Sequence, residues 1–181
     1  MDEQEKCDWK AYVHQYVEER LAAAFEELLS AESTERLATA EHTEQVKAEV
    51  DAYLLKKKKE AREKARNKEG FETLQDYLWH LTEGLDRRDV YVPSNLSVQT
   101  YSDVMSPGHL PQKPTLLALA VGLRLSVDEA DTLLHYAGYS LSNLTLDLIV
   151  RCHLENGIHD IYLLNDILAE EGLPILGWKP R

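Results

Sequence analysis

No glycine or proline occurs before Gly70, and this divides the chain in two. Those two residues are the strongest local breakers of regular structure, so a stretch without them that is rich in Ala, Glu, Lys and Leu has helix as its main ordered option. From Trp9 the apolar positions Trp9, Tyr12, Val13, Tyr16, Val17, Leu21, Phe25, Leu28 and Leu29 recur at three- and four-residue spacing, which predicts one amphipathic helix. A pause around Ser30 to Thr34 supplies hydroxyls that can cap a second helix running towards Lys68. Residues 1–69 therefore read as a helical hairpin and association region. Its apolar face needs cover, either from the rest of the chain or from a second copy. Trp9, Tyr12, Tyr16 and Phe25 are the expected association face, with a homodimer as the expected assembly.

After Gly70 the pattern changes to short helices with legible ends. Phe71, Leu74, Leu78 and Leu81 form an amphipathic series ending at Gly84, and Pro107, Gly108 and Pro111 mark a loop. Pro114 suits the first turn of the next helix. Ser126 and Glu129 have the spacing of a capping box, and Gly138 can close the helix that they open. Two further faces, Leu146 to Leu154 and Ile161 to Leu168, end at Gly157 and Gly172. Counting two short elements between Asp86 and Met105, residues 70–181 are expected to hold seven helices, with the tail from Leu173 to Trp178 packed back on the core. No strand alternation and no internal repeat occurs, so the fold class expected is all-α.

The net charge of −12 is spread unevenly. Residues 1–55 hold 5 basic and 14 acidic side chains, residues 56–68 hold 8 basic and 2 acidic, and residues 69–181 hold 7 basic and 16 acidic. The whole-molecule field repels phosphate, so a nucleic-acid role must rest on local patches. Lys56, Lys57, Lys58, Lys59, Arg62 and Arg66 form one such patch, which can hold phosphate, a lipid headgroup or an acidic partner, or can simply be a solvated helical face. It lacks the broad apolar side that would enter a membrane interface.

The acidic, polar start and the lack of any apolar run near the ~20 residues that span a bilayer predict a cytoplasmic protein without membrane contact. Cys7 and Cys152 are far apart and have no metal-ligand spacing, and His14, His42, His80, His109, His135, His153 and His159 are scattered. No metal, cofactor or catalytic constellation is expected, and an enzyme is not the reading.

The stretch from Gly84 to Met105, Gly-Leu-Asp-Arg-Arg-Asp-Val-Tyr-Val-Pro-Ser-Asn-Leu-Ser-Val-Gln-Thr-Tyr-Ser-Asp-Val-Met, resembles the core of the Xre/Cro/C1-type bacterial helix-turn-helix family. Lys113 to Ala120 looks like the next helix of the same unit. The segments Leu133–Tyr139 and Asp160–Asn165 resemble a helical extension that follows it in some bacterial proteins. The resemblance spans residues 71–178. It implies a lambda-repressor-like domain and a dimeric, sequence-specific transcriptional regulator on double-stranded DNA, with Leu96-Ser97 as the turn. In that reading Val98, Gln99 and Ser102 meet base edges, while Arg87, Arg88 and Lys113 contact phosphates. Asp103 brings a carboxylate into the recognition helix, and Pro93 removes an N–H from the helix before it. Both favour the alternative, a non-catalytic protein-interaction adaptor built on a degenerate helix-turn-helix scaffold.

Overall fold

The computed structural model describes residues 2–32 and 70–177, and among these it holds eight helices and no strand. They are α1 (Glu3–Glu32), α2 (Leu74–Leu81), α3 (Arg87–Tyr91), α4 (Val98–Val104), α5 (Lys113–Gly122), α6 (Val127–Tyr136), α7 (Thr145–Glu155) and α8 (Ile161–Glu170). The expected all-α class and the seven helices after Gly70 are both present. The second half of the hairpin, the basic patch from Lys56 to Arg66, and Trp178 lie outside the described residues.

Local chemistry accounts for most helix ends. Asp2 and Glu5 exchange bonds at the start of α1: the Asp2 N–H donates to Glu5 Oε2 and the Glu5 N–H to Asp2 Oδ1, both at 2.7 Å. Ser126 and Glu129 form the expected capping box on α6, and Thr73 with Asp76 forms a second on α2 that the sequence reading did not single out. Gly138, at φ 79°, closes α6 as expected, letting the Tyr139 N–H reach back to Leu134 O at 2.8 Å. Asp160 caps α8 by accepting from the N–H groups of Tyr162 and Leu163.

α5 is the centre of the fold. Leu116, Leu117, Ala118, Leu119, Ala120 and Val121 are all buried, so this helix has no solvent face over that span. α3, α6, α7 and α8 pack around it, α2 lies on α6, and α1 crosses α7.

The segment between α3 and α4 is held by close backbone approach. α3 ends at Tyr91, just before Val92 and the exposed Pro93, and the chain turns through Asn95 at φ 51°. The Leu96 N–H returns to Tyr91 O at 2.9 Å, and Ser94 Oγ donates to Val90 O at 2.7 Å. On one side Gly122 of α5 lies so near that a Cβ there would sit 2.1 Å from Ser94 Oγ and 2.6 Å from Ser94 N. On the other, the tail passes over the turn: Asn95 Nδ2 donates to Leu176 O at 3.2 Å. Asn165 on α8 secures the same residue, its Nδ2 donating to Leu176 O at 3.0 Å and its Oδ1 accepting from the Leu176 N–H at 2.7 Å. The described part of the tail thus packs on the core as expected, with Leu176 fully buried.

Replacing Gly122 by Ala is therefore expected to destabilise the protein by about 1–3 kcal/mol through overpacking, read as a lower urea midpoint. Adding Ser94→Ala should not restore it, because the backbone nitrogen of residue 94 also stands in the way. A double variant as stable as the parent would show that the turn is not clamped at this point.

Candidate interaction surfaces

α4 presents one side to the core and one to solvent. Tyr101 and Val104 are buried. Ser97 caps the helix, its Oγ accepting from the Thr100 N–H at 3.0 Å. The far end is held by the buried Gln75 of α2, whose Nε2 donates to Val104 O at 3.1 Å and His109 O at 2.8 Å. The outer side carries Val98, 62% exposed, with Gln99, Ser102 and Asp103, so the three residues expected to meet base edges do share a surface. Gln99, however, is engaged along its own helix, its Nε2 donating to Asp103 Oδ1 at 2.7 Å. Its amide is oriented by a carboxylate, and α4 itself contains no Lys or Arg.

The three expected phosphate contacts separate. Arg87 and Arg88 are exposed in the first turn of α3. Lys113 is not available in the same way. It forms an ion pair with Asp147 of α7, whose side chain is 3% exposed, and Asp147 also accepts from Ser142 Oγ and from the Ser142 N–H, the latter at 2.8 Å. A buried carboxylate needs such a cation, because isolated charge is costly away from water. Lys113, expected to contact phosphate, is in this structure paired with Asp147, its side chain 21% exposed. Asp147 was not foreseen; its position between Leu146 and Leu148 in an apolar run was the available signal.

The expected association face also separates. Trp9, Val13, Tyr16 and Val17 find their partner within the chain, on α7 and α8. Val13 and Val17 are buried, worth about 2 kcal/mol each in transfer from water. Trp9 Nε1 donates to His153 Nε2 at 3.1 Å, with the rings edge to face at a 5.1 Å centroid separation. His153 Nδ1 lies 2.9 Å from Ile149 O, so the ring fits as the neutral form protonated at Nδ1, donating there and accepting at Nε2. Tyr16 Oη donates to Glu155 at 2.8 Å; burial, then that bond, push its phenol up to about 12. Lys10 pairs with Glu170 at 2.5 Å, His14 Nδ1 lies 3.0 Å from Glu171, and Arg20 sits 3.9 Å from Glu155 and over the Tyr16 ring. Trp9 and Tyr16 are therefore used in intramolecular docking rather than held ready for a second copy, whereas Tyr12 and Phe25 remain exposed at 46% and 64%.

No group of three His, Cys, Asp or Glu able to hold a metal ion occurs among the described residues. Burial pushes the Cys152 thiol up to about 12, which removes thiolate character at neutral pH. No described helix is long and apolar enough to cross a membrane. Compared with protein-family models, curated proteins and solved structures, the chain matches none of them.

Burial holds the His153 imidazole down to about 4, against about 6.5 for an unperturbed histidine. Above pH ~6.5 both folded and unfolded chains carry it neutral. As pH falls towards 4 the unfolded chain takes up a proton that the folded one refuses, so stability is lost over that window, by about 3 kcal/mol from this residue. Urea unfolding at stepped pH should show that slope in the parent and a shallower one in His153→Gln. Identical slopes would rule out the buried neutral imidazole. Lys113→Ala should cost about 3 kcal/mol by stranding Asp147, and Lys113→Ala/Asp147→Asn together should cost less than Lys113→Ala alone.

Proposed function

We propose that this protein is a non-catalytic protein-interaction adaptor that uses a helix-turn-helix-like scaffold rather than a DNA-reading regulator. The observation that carries this reading is the charge on and beside α4. Its outer face holds Val98, Ser102 and a Gln99–Asp103 pair with no cation of its own, and of the expected phosphate contacts Lys113, at the start of α5, is paired with Asp147, which leaves only Arg87 and Arg88 exposed on α3. A helix that enters the major groove must approach a dense line of phosphates, and the phosphate term supplies most of the affinity. A carboxylate offered there works against binding.

Two other features support protein contacts. Large apolar side chains stand exposed, among them Phe25, Leu144, Val98, Tyr162 and Trp79, and aromatic residues of this kind are enriched in the centres of protein interfaces. The acidic balance of the chain also favours basic polypeptide partners over nucleic acid. The turn before α4 is clamped on two sides, so the surface is presented on a rigid element.

The test compares the two macromolecules directly. Titration with a duplex from upstream of the protein's own gene should show no retention even at low salt. A photo-crosslinking residue placed at Phe25 should yield protein adducts in cells. Retention that weakens steeply as salt rises, with sequence preference blunted in Gln99→Ala, would instead establish the DNA-binding regulator.

A further inference from the structure

α1 rests on the other helices without being needed to enclose them. Among the described residues, every buried apolar side chain except Val13 and Val17 belongs to residues 74–176. The packing beneath α1 is incomplete, since a cleft of about 170 Å³ stays open between Val13, Val17 and Leu21 of α1, Ile149 of α7 and Ile167 of α8. Three ion pairs stand at the edge of this contact: Lys10–Glu170, His14–Glu171 and Arg20–Glu155. All six side chains are at least 27% exposed, and pairs so open to water add little.

The bond between Trp9 and His153 differs, because it depends on one protonation state. Both ring nitrogens are engaged, Nε2 accepting from Trp9 and Nδ1 donating to Ile149 O, so the imidazole has no free position for a second proton. A proton added at Nε2 would meet the indole N–H donor to donor and leave a charge shut away from water. Asp160, at the start of α8, favours the charged ring, His159 just before it opposes it, and no group of α5 or α6 acts on it. From α1 the indole faces it, and Lys10, next in sequence, is held by Glu170. Along α7, Glu155 is taken by Tyr16 and the Cys152 thiol stays neutral.

From this buried latch under a lightly packed helix, we infer that α1 is a releasable arm: when His153 takes a second proton, α1 leaves α7 and α8 as one unit while α2 to α8 stay folded. Release brings the charged ring into water without unfolding the core. Local opening of this kind belongs to segments held by few apolar contacts. It uncovers Ile149 and Ile167, which now face α1 across the cleft. Docked, the ring titrates at about 4, and freed, at about 6.5. The docked state therefore keeps its full advantage above pH ~6.5 and loses it as pH falls towards 4, by up to about tenfold in the docking equilibrium between pH ~7.5 and pH ~5.5.

Cys152 reports the release. It is fully buried one turn beyond Ile149, and a thiolate there would act on the Tyr16 phenol, which puts it on the α1 side of α7. In the full chain carrying Cys7→Ser, its reaction with dithiodipyridine, a disulfide reagent active in acid, is timed at pH ~7.5 and pH ~5.5 and divided by the rate of a free thiol at the same pH. That normalised rate should rise up to about tenfold at the lower pH. Its urea dependence should be shallower than that of global unfolding, because less surface is exposed. His153→Gln, which does not titrate, should change less than about twofold. Trp9→Phe, which removes the N–H and keeps a ring, should react faster than the parent already at pH ~7.5 with an unchanged far-UV circular dichroism spectrum. As the sole tryptophan, in a Trp79→Phe/Trp178→Phe form, Trp9 should shift its emission to the red over the same pH range.

Reaction of Cys152 with the urea dependence of the whole chain would mean that α1 and the core open together, and would overturn the arm. Cys152 unreactive at both pH values with Trp9 emission unmoved would overturn release itself. The same pH response in the parent and His153→Gln would overturn His153 as the latch, as would a Trp9→Phe chain that reacts no faster than the parent.

Discussion

α5 has no polar side to turn outward. Six consecutive residues, Leu116 to Val121, must all leave water, and a single layer of helices on one side cannot achieve that. The surrounding helices are therefore arranged as a jacket, with α3, α6, α7 and α8 each contributing to the enclosure. Gly122, at the end of α5, lets the enclosing chain come closer than any side chain would allow, and the turn at Ser94 fills that space. The placement of α4 follows, because its start is set by that turn and its end by Gln75.

The same enclosure decides the electrostatics. α7 packs on α5, so the first turn of α7 brings Asp147 into the interior, where Lys113 at the start of α5 supplies the countercharge and Ser142 the hydrogen bonds. A cation that the resemblance to helix-turn-helix proteins would place on phosphate is thereby drawn inward. The functional reading turns on this exchange. With Lys113 occupied and Asp103 holding the Gln99 amide, the outer face of α4 offers apolar and acidic chemistry.

α1 extends the core by a different means. Its buried contribution is small, two valines and the edge of Trp9, and around it stands a ring of polar contacts to α7 and α8. His153 is the point at which apolar and polar docking meet: fully buried, it carries one hydrogen bond outward to α1 and one back to its own helix. The helix is thus fixed to the C-terminal half along one side, leaving Tyr12, Leu21 and Phe25 on the other and the cleft beside them.

Much of the fold was legible in the sequence. The seven helices after Gly70, the Ser126–Glu129 box, the end at Gly138 and the packed tail all arise from hydrogen bonds and apolar spacings within a few residues, and short-range patterns record those directly. The shared exposed face of Val98, Gln99 and Ser102 follows from helical periodicity alone. Three things were settled only by tertiary structure: that Lys113 is neutralised by a residue 34 positions away, that Trp9 is held by a histidine 144 positions away, and that a cleft stays open beside α1. Each depends on which surfaces meet when α5 is enclosed. Local spacing names a charge or an apolar stripe, but only the packed chain determines whether another part of the molecule has already taken it.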